Sequence, residues 1–225
     1  MELVLVRHAQ PEWVRDGFSV DDPPLTERGR RQAERLAERL TGEVFDDVFV
    51  SPLVRARQTA DPVLVSLDRK EEVDDWLEEI RNPVWHGSPA EKAEEVFREE
   101  QARPVDQRWE GLVGGEPVRD FVARIRQGAG LFLEERGVVP LRDDLPVWRI
   151  DDAARRILLI AHAGVNSVVI CHLLGLSPTP WEWDRFVLGH ASVTRIEALP
   201  VADGYTWSLT RLSDVEHLPP EDRTR

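Results

Sequence analysis

Three short stretches place basic or imidazole side chains directly after an apolar run. Val6-Arg7-His8-Ala9 closes the run that begins at Leu3. Ser51-Pro52-Leu53-Val54-Arg55-Ala56-Arg57-Gln58-Thr59 follows Phe49-Val50. Ile160-Ala161-His162-Ala163-Gly164 closes the run Ile157-Leu158-Leu159. Forked guanidinium donors such as those of Arg7 and Arg55 match the oxygens of a phosphate group. An imidazole serves as nucleophile, base or donor near neutral pH. Taken singly, His8 or His162 is equally well a satisfied core histidine. The coincidence of three such strand ends is what points to a phosphate site.

For these groups to meet, the elements carrying them must share one rim. Residues 3–6 read as a short buried strand. Residues 27–41 read as a helix with Ala33, Leu36, Ala37 and Leu40 on one face, Thr26 as its cap and Gly42 at its end. A strand over 45–50 follows, then a helix opened by Ser51 as N-cap and Pro52 at its first position. A further helix is expected over 118–133, a buried strand over 157–161 and a helix over 165–174 ended by Gly175. Strands over 192–199 and 205–212 are joined through Asp203-Gly204, a hairpin signal. This order predicts an α/β fold: three layers, α/β/α, around a mainly parallel sheet, with the last hairpin adding antiparallel strands at one edge. Ligands of such sheets bind at the carboxyl ends of the strands, where helix N-termini add donors and a positive dipole end.

Composition narrows the rest. The 225 residues, with 41% hydrophobic and 32% charged, suit one domain over residues 1–218 with a real core. Residues 80–116 and 137–156 are rich in Pro, Gly, Trp and charge and read as irregular excursions from the sheet edge. Residues 219–225 read as a loose polar tail. No apolar run approaches the ~20 residues of a membrane span. The formal charge of −13 argues against a nucleic-acid partner but not against a small anionic substrate. Cys171 is the sole cysteine and reads as a buried inert thiol. The absence of a secretory signal and of disulfides leads to an expected cytoplasmic location. No His, Cys and Asp spacing suits a metal, and no metal or other cofactor is expected. The oligomeric state is not readable.

Six motifs in order resemble the histidine phosphatase superfamily, also called phosphoglycerate mutase-like, over roughly residues 3–199. Arg7-His8-Ala9 is similar to its Arg-His-Gly signature. Pro24-Leu25-Thr26-Glu27-Arg28-Gly29-Arg30-Arg31-Gln32-Ala33 is similar to its P-L-T-x-x-G-x-x-Q-A helix start. The stretch Ser51 to Ala60 resembles its second arginine motif. Leu77-Glu78-Glu79-Ile80 with Trp85-His86-Gly87 resembles its acid segment. Gly114-Gly115-Glu116 and Ala161-His162-Ala163-Gly164-Val165 complete the set. Ala9 departs from the usual glycine, and Val14 stands where many members carry a phosphate-binding Asn.

The resemblance implies that His8 is a nucleophile forming a phosphohistidine. Arg7 and Arg55 would clamp the phosphate, and His162 would donate to the transferring group. Glu79 would be the general acid and base, with Glu78 as its rival. Nearby cations are expected to keep His8 neutral. Arg57 is read as surface or supporting, His190 as structural or rim, and Glu116 as orienting a loop or capping a helix. Trp13 and Trp85 flank the motifs and are either packing or walls of a leaving-group pocket. A mutase would carry Arg after the catalytic Glu; here Ile80 follows Glu79, and Arg81 is out of register. A phosphomonoesterase acting on a small phosphorylated metabolite is therefore favoured over a phosphoglycerate mutase-type reaction. A third alternative is a catalytically weak phosphate-binding relative.

Overall fold

Alternate residues of the first strand face opposite ways, as a period of two requires, and both faces are apolar. Leu3 and Leu5 join one buried cluster, while Val4 and Val6 join another. A strand buried on both faces belongs at the centre of a layered sheet. The computed structural model describes residues 1–225 and places it there. In chain order the elements are β1 (Glu2–Arg7), the small hairpin β2 (Val14–Arg15) and β3 (Phe18–Ser19), and α1 (Glu27–Leu40). Then come β4 (Asp47–Val50), α2 (Val54–Ser66), α3 (Ala90–Ala102), α4 (Val118–Glu134), β5 (Val138–Pro140) and β6 (Trp148–Ile150). The chain continues through β7 (Arg156–Ala161), α5 (Ala163–Leu173), the single turn α6 (Glu182–Arg185), β8 (Val193–Val201) and β9 (Gly204–Asp214).

The main sheet runs β4-β7-β1-β8-β9-β6-β5. Strands β4, β7 and β1 are mutually parallel, and the remaining pairings are antiparallel. The expected α/β/α layering is present. Leu158 and Ile160 of β7 meet Leu36, Leu40 and Val63 of α1 and α2 on one face. Ile157 and Leu159 meet Phe121, Ile125, Val165 and Val169 of α4 and α5 on the other. The sheet is mixed, with its parallel part confined to the three strands that carry the motifs. The β8–β9 hairpin lies inside it and not at its edge. The edge belongs to β5 and β6 from the stretch 137–156, which therefore completes the sheet instead of leaving it.

Local chemistry accounts for most boundaries. Thr26 caps α1, its Oγ1 accepting from the Gly29 amide at 2.9 Å. Helix α2 starts later than Ser51-Pro52 suggested, because Ser51 Oγ bonds His162 at 2.7 Å. The carboxylate of distant Asp22 instead accepts from the Val54 amide at 3.0 Å. The stretch 80–116 contains α3, which buries none of its residues and is docked at its start by Ala90 N–H to the Gly17 carbonyl, 3.0 Å. The tail is not loose. The Gln32 amide donates to the Asp222 carbonyl, Arg31 pairs with Asp222 at 3.0 Å, and Thr224 reaches the site described below.

Gly29 explains one motif position. A Cβ there would run into the Gln10 carbonyl oxygen, which also accepts from the Thr26 amide at 3.0 Å. Gly29→Ala is expected to destabilise the fold by about 2–3 kcal/mol, because the obstacle is backbone. For a chain of this size that lowers Tm by roughly 5–10 °C. An unchanged midpoint in a thermal melt would refute this account of the glycine.

Candidate active site

Parallel strands bring their carboxyl ends to one rim, and the ladder continues one residue past each strand. His8 N–H donates to the Ala161 carbonyl at 2.9 Å, and Ser51 N–H to the Ile160 carbonyl at 3.0 Å. Arg7 N–H donates to the Ser192 carbonyl at 3.2 Å, and Ala191 N–H to the His8 carbonyl at 3.2 Å. His8, His162 and the start of α2 are thus fixed by sheet hydrogen bonds rather than by loop packing. The segment after His8 is pinned from two helices. Thr59 Oγ1 accepts from Ala9 N–H at 2.9 Å, and Gln32 Oε1 from Gln10 N–H at 2.8 Å. Ala9 does not need positive φ and is fully buried, so alanine fits there without strain.

His8 is buried, and its Nδ1 lies 2.8 Å from the Ala9 carbonyl. A carbonyl only accepts, so Nδ1 carries the proton and Nε2 keeps its lone pair. Burial above all, then His162, Arg55, Arg7 and His190, holds its pKa well below the usual histidine value. The expected effect of the cations is present, but burial is the larger cause. The His162 ring stands 5.1 Å from that of His8, with no exposure. Ser51 Oγ holds its Nε2, while its Nδ1 has no protein partner. Burial again leads the lowering of its pKa, followed by Arg55 and Arg7.

Arg55 is buried, 4.9 Å above the Trp13 ring and 3.5 Å from Asp22. Arg7 donates to the Leu188 carbonyl at 2.6 Å and meets His190 Nε2 at 3.0 Å. Burial lowers it to about 10, so it stays cationic at neutral pH. Because Arg7 can only donate, His190 Nε2 accepts and its Nδ1–H points to Thr224 Oγ1 at 2.9 Å. Burial, with Arg7 adding, pushes His190 down to about 3, in keeping with a neutral ring. Asp22, His190 and Thr224 are the supporting residues least visible in the sequence, since each acts on a partner far along the chain.

The Glu79 carboxyl accepts from Gly164 N–H at 2.9 Å and from Ile80 N–H at 3.0 Å. A Cβ on residue 164 would collide with it, so the glycine admits the acid. Burial raises the Glu79 pKa, against the opposing pull of these amides and of Arg55 and Arg7. One amide at the start of each of α2 and α5, that of Val54 and that of Gly164, is taken by Asp22 and Glu79. Glu78 instead pairs with Arg81 at 2.6 Å. Glu116 binds Arg124 at 2.9 Å, and Arg124 donates to the carbonyls of Glu78 and Glu79, so Glu116 orients the acid loop. Arg57 is tied to Glu71 at 2.7 Å on the surface.

A cavity of about 640 Å3 opens on this rim and is lined by Arg7, His8, Arg55 and Glu79, with Trp13 and Trp85 among its walls. His162 lies behind His8 and is not part of the wall. Cys171 is buried elsewhere, its thiol pushed up to about 12 by burial.

A layered sheet with Arg7, His8 and His162 at its parallel strand ends, Arg55 at the start of α2 and Glu79 in a loop against Gly164 has the arrangement of the phosphoglycerate mutase-like type. The family model described as histidine phosphatase superfamily (branch 1) matches residues 3–214, and the chain belongs to that family. It is 30% identical over 179 residues to phosphoserine phosphatase 1 of Hydrogenobacter thermophilus, covering 78% of this chain and 77% of the relative. It is 29% identical to a probable phosphoglycerate mutase of Yersinia enterocolitica, over 97% and 95% of the two chains. The fold is shared with a mycobacterial glucosyl-3-phosphoglycerate phosphatase, TM-score 0.69 at 24% identity, over 94% and 98% of the two chains. No helix is long and apolar enough to cross a membrane.

Proposed function

We propose that the protein is a metal-independent phosphomonoesterase that works through a phosphohistidine on His8. The observation that carries this reading is one cavity lined by His8, whose Nε2 keeps its lone pair, by the guanidinium groups of Arg7 and Arg55, and by the Glu79 carboxyl. Two forked cations beside a nucleophile and an acid are the groups that hold and neutralise a multi-oxygen anion. Nε2 of His8 attacks phosphorus in line, the N–P bond forms, and the bond from phosphorus to the ester oxygen breaks. Glu79, protonated as its raised pKa favours, gives its proton to that oxygen. Water then attacks phosphorus, Glu79 takes its proton, and the N–P bond breaks to release phosphate. Arg7 and Arg55 hold the equatorial oxygens throughout. Release of phosphate from an aryl phosphate in the presence of chelator, with a phosphoryl adduct trapped at His8 under alkaline quench, tests this directly. Turnover without any such adduct would refute the covalent route.

Arg7 owes its orientation to His190, and His190 to Thr224. Thr224→Val is expected to weaken competitive inhibition by inorganic phosphate about fivefold, the effect of one lost hydrogen bond in a charged chain. His190→Ala is expected to weaken it further, with His190→Asn recovering part of the loss. An unchanged inhibition constant in both Thr224→Val and His190→Ala would show that Arg7 needs no such support.

A further inference from the structure

The cavity beyond the phosphate end has a distinct chemistry. Trp13, Val14 and Phe97 line it with 44%, 46% and 45% of their surfaces exposed. The Trp85 ring meets Phe97 edge-on at 5.3 Å, extending the same aromatic wall. Phe97 comes from α3, which has no residue in the core, so its position there serves the cavity and not the fold. The β2–β3 hairpin fastens this wall: Ser19 N–H donates to the Ser88 carbonyl at 2.8 Å, and Phe18 bridges to Pro89.

Charge in the same region is one-sided. Apart from Glu79, the carboxylates are Asp21, Asp22, Glu78 and Glu94. Apart from Arg7 and Arg55, the only guanidinium is Arg81, and Glu78 holds it through both Nε and Nη2, at 3.0 and 2.6 Å. A leaving group bearing its own carboxylate or second phosphate would meet no free cation and the carboxylates of Asp21 and Glu94, which no cation pairs. A flat apolar body would cover the exposed rings.

We infer that the substrate is the phosphate monoester of an alcohol with an aromatic or apolar body and no anionic group of its own. This rests on the phosphatase reading above and narrows its leaving group. In this class the broken ester bond leaves an ordinary alkoxide oxygen, so Glu79 must still supply its proton.

The test compares matched alkyl esters, so that leaving-group acidity does not decide the outcome: 2-phenylethyl phosphate, methyl phosphate, 3-phosphoglycerate and phosphoserine. The kcat/KM for 2-phenylethyl phosphate is expected to exceed that for 3-phosphoglycerate by about 100-fold or more. Phe97→Ala and Trp13→Ala are each expected to lower the ratio of 2-phenylethyl to methyl phosphate turnover by about tenfold. Glu78→Gln, which releases Arg81, is expected to raise 3-phosphoglycerate turnover relative to 2-phenylethyl phosphate. Turnover of 3-phosphoglycerate or phosphoserine equal to or faster than that of 2-phenylethyl phosphate, lost in His8→Ala, would overturn the leaving-group inference and leave the phosphatase reading standing. Turnover of all four esters that survives His8→Ala would overturn the phosphohistidine reading instead.

Discussion

His8→Ala is expected to lose about four orders of magnitude in kcat or more, with the fold intact. Removing a nucleophile removes the covalent route entirely, and what remains is binding and charge stabilisation. The residue is built for the role at the level of single atoms. The Ala9 carbonyl fixes the proton on Nδ1, burial and neighbouring cations keep the ring neutral, and the Nε2 lone pair is left free at the cavity. The backbone of residue 8 is held by the sheet, so truncating its side chain disturbs no element. Circular dichroism and the thermal midpoint should therefore stay near those of the parent, while the trapped phosphoryl adduct disappears. A His8→Ala protein that still hydrolyses esters at a tenth of the parent rate would mean that another group attacks phosphorus.

Glu79→Gln is expected to lower kcat on alkyl phosphates by about 10²–10⁴-fold, the usual worth of a positioned general acid and base. The effect should divide by step. An aryl ester departs without a proton, so phosphorylation of His8 survives better than its hydrolysis, and phosphoenzyme accumulates. The pH dependence has a definite sign. Burial raises the Glu79 pKa, so the protonated acid persists above the ordinary carboxylate range and is lost as pH rises through the raised value. The parent rate on alkyl esters should fall along that high-pH limb, and the glutamine variant should lack it. A variant that keeps the limb would assign it to another group.

The parts of the molecule legible in sequence are those whose cause is local. The short apolar runs Leu3 to Val6 and Ile157 to Ala161, the Thr26 cap and the Asp203-Gly204 turn all report on neighbours within a few residues. The motifs added Glu79, whose closeness to His8 no spacing reveals. What stayed hidden depends on distant partners. Asp22 takes the amide that Ser51 was expected to cap, because Ser51 is committed to His162. Thr224 completes a chain to Arg7 from a stretch that looks merely polar. Helix α3 has no buried face to leave a periodic trace, and β5 and β6 are three residues each, too short for alternation to show.

The central place of β1 has a consequence for how the protein comes into being. It leaves the ribosome well before its two neighbours, β7 and β8, which begin only at Arg156 and Val193. Until both have emerged, the apolar run Leu3 to Val6 has no partner on either side, and such exposed runs are sites of chaperone capture and misassembly. Closing loops of this length also slows folding. A nascent chain interrupted before β8 therefore carries His8 on an unpaired strand. Active enzyme appears only once β8 has been made, and shorter products have no phosphatase to contribute.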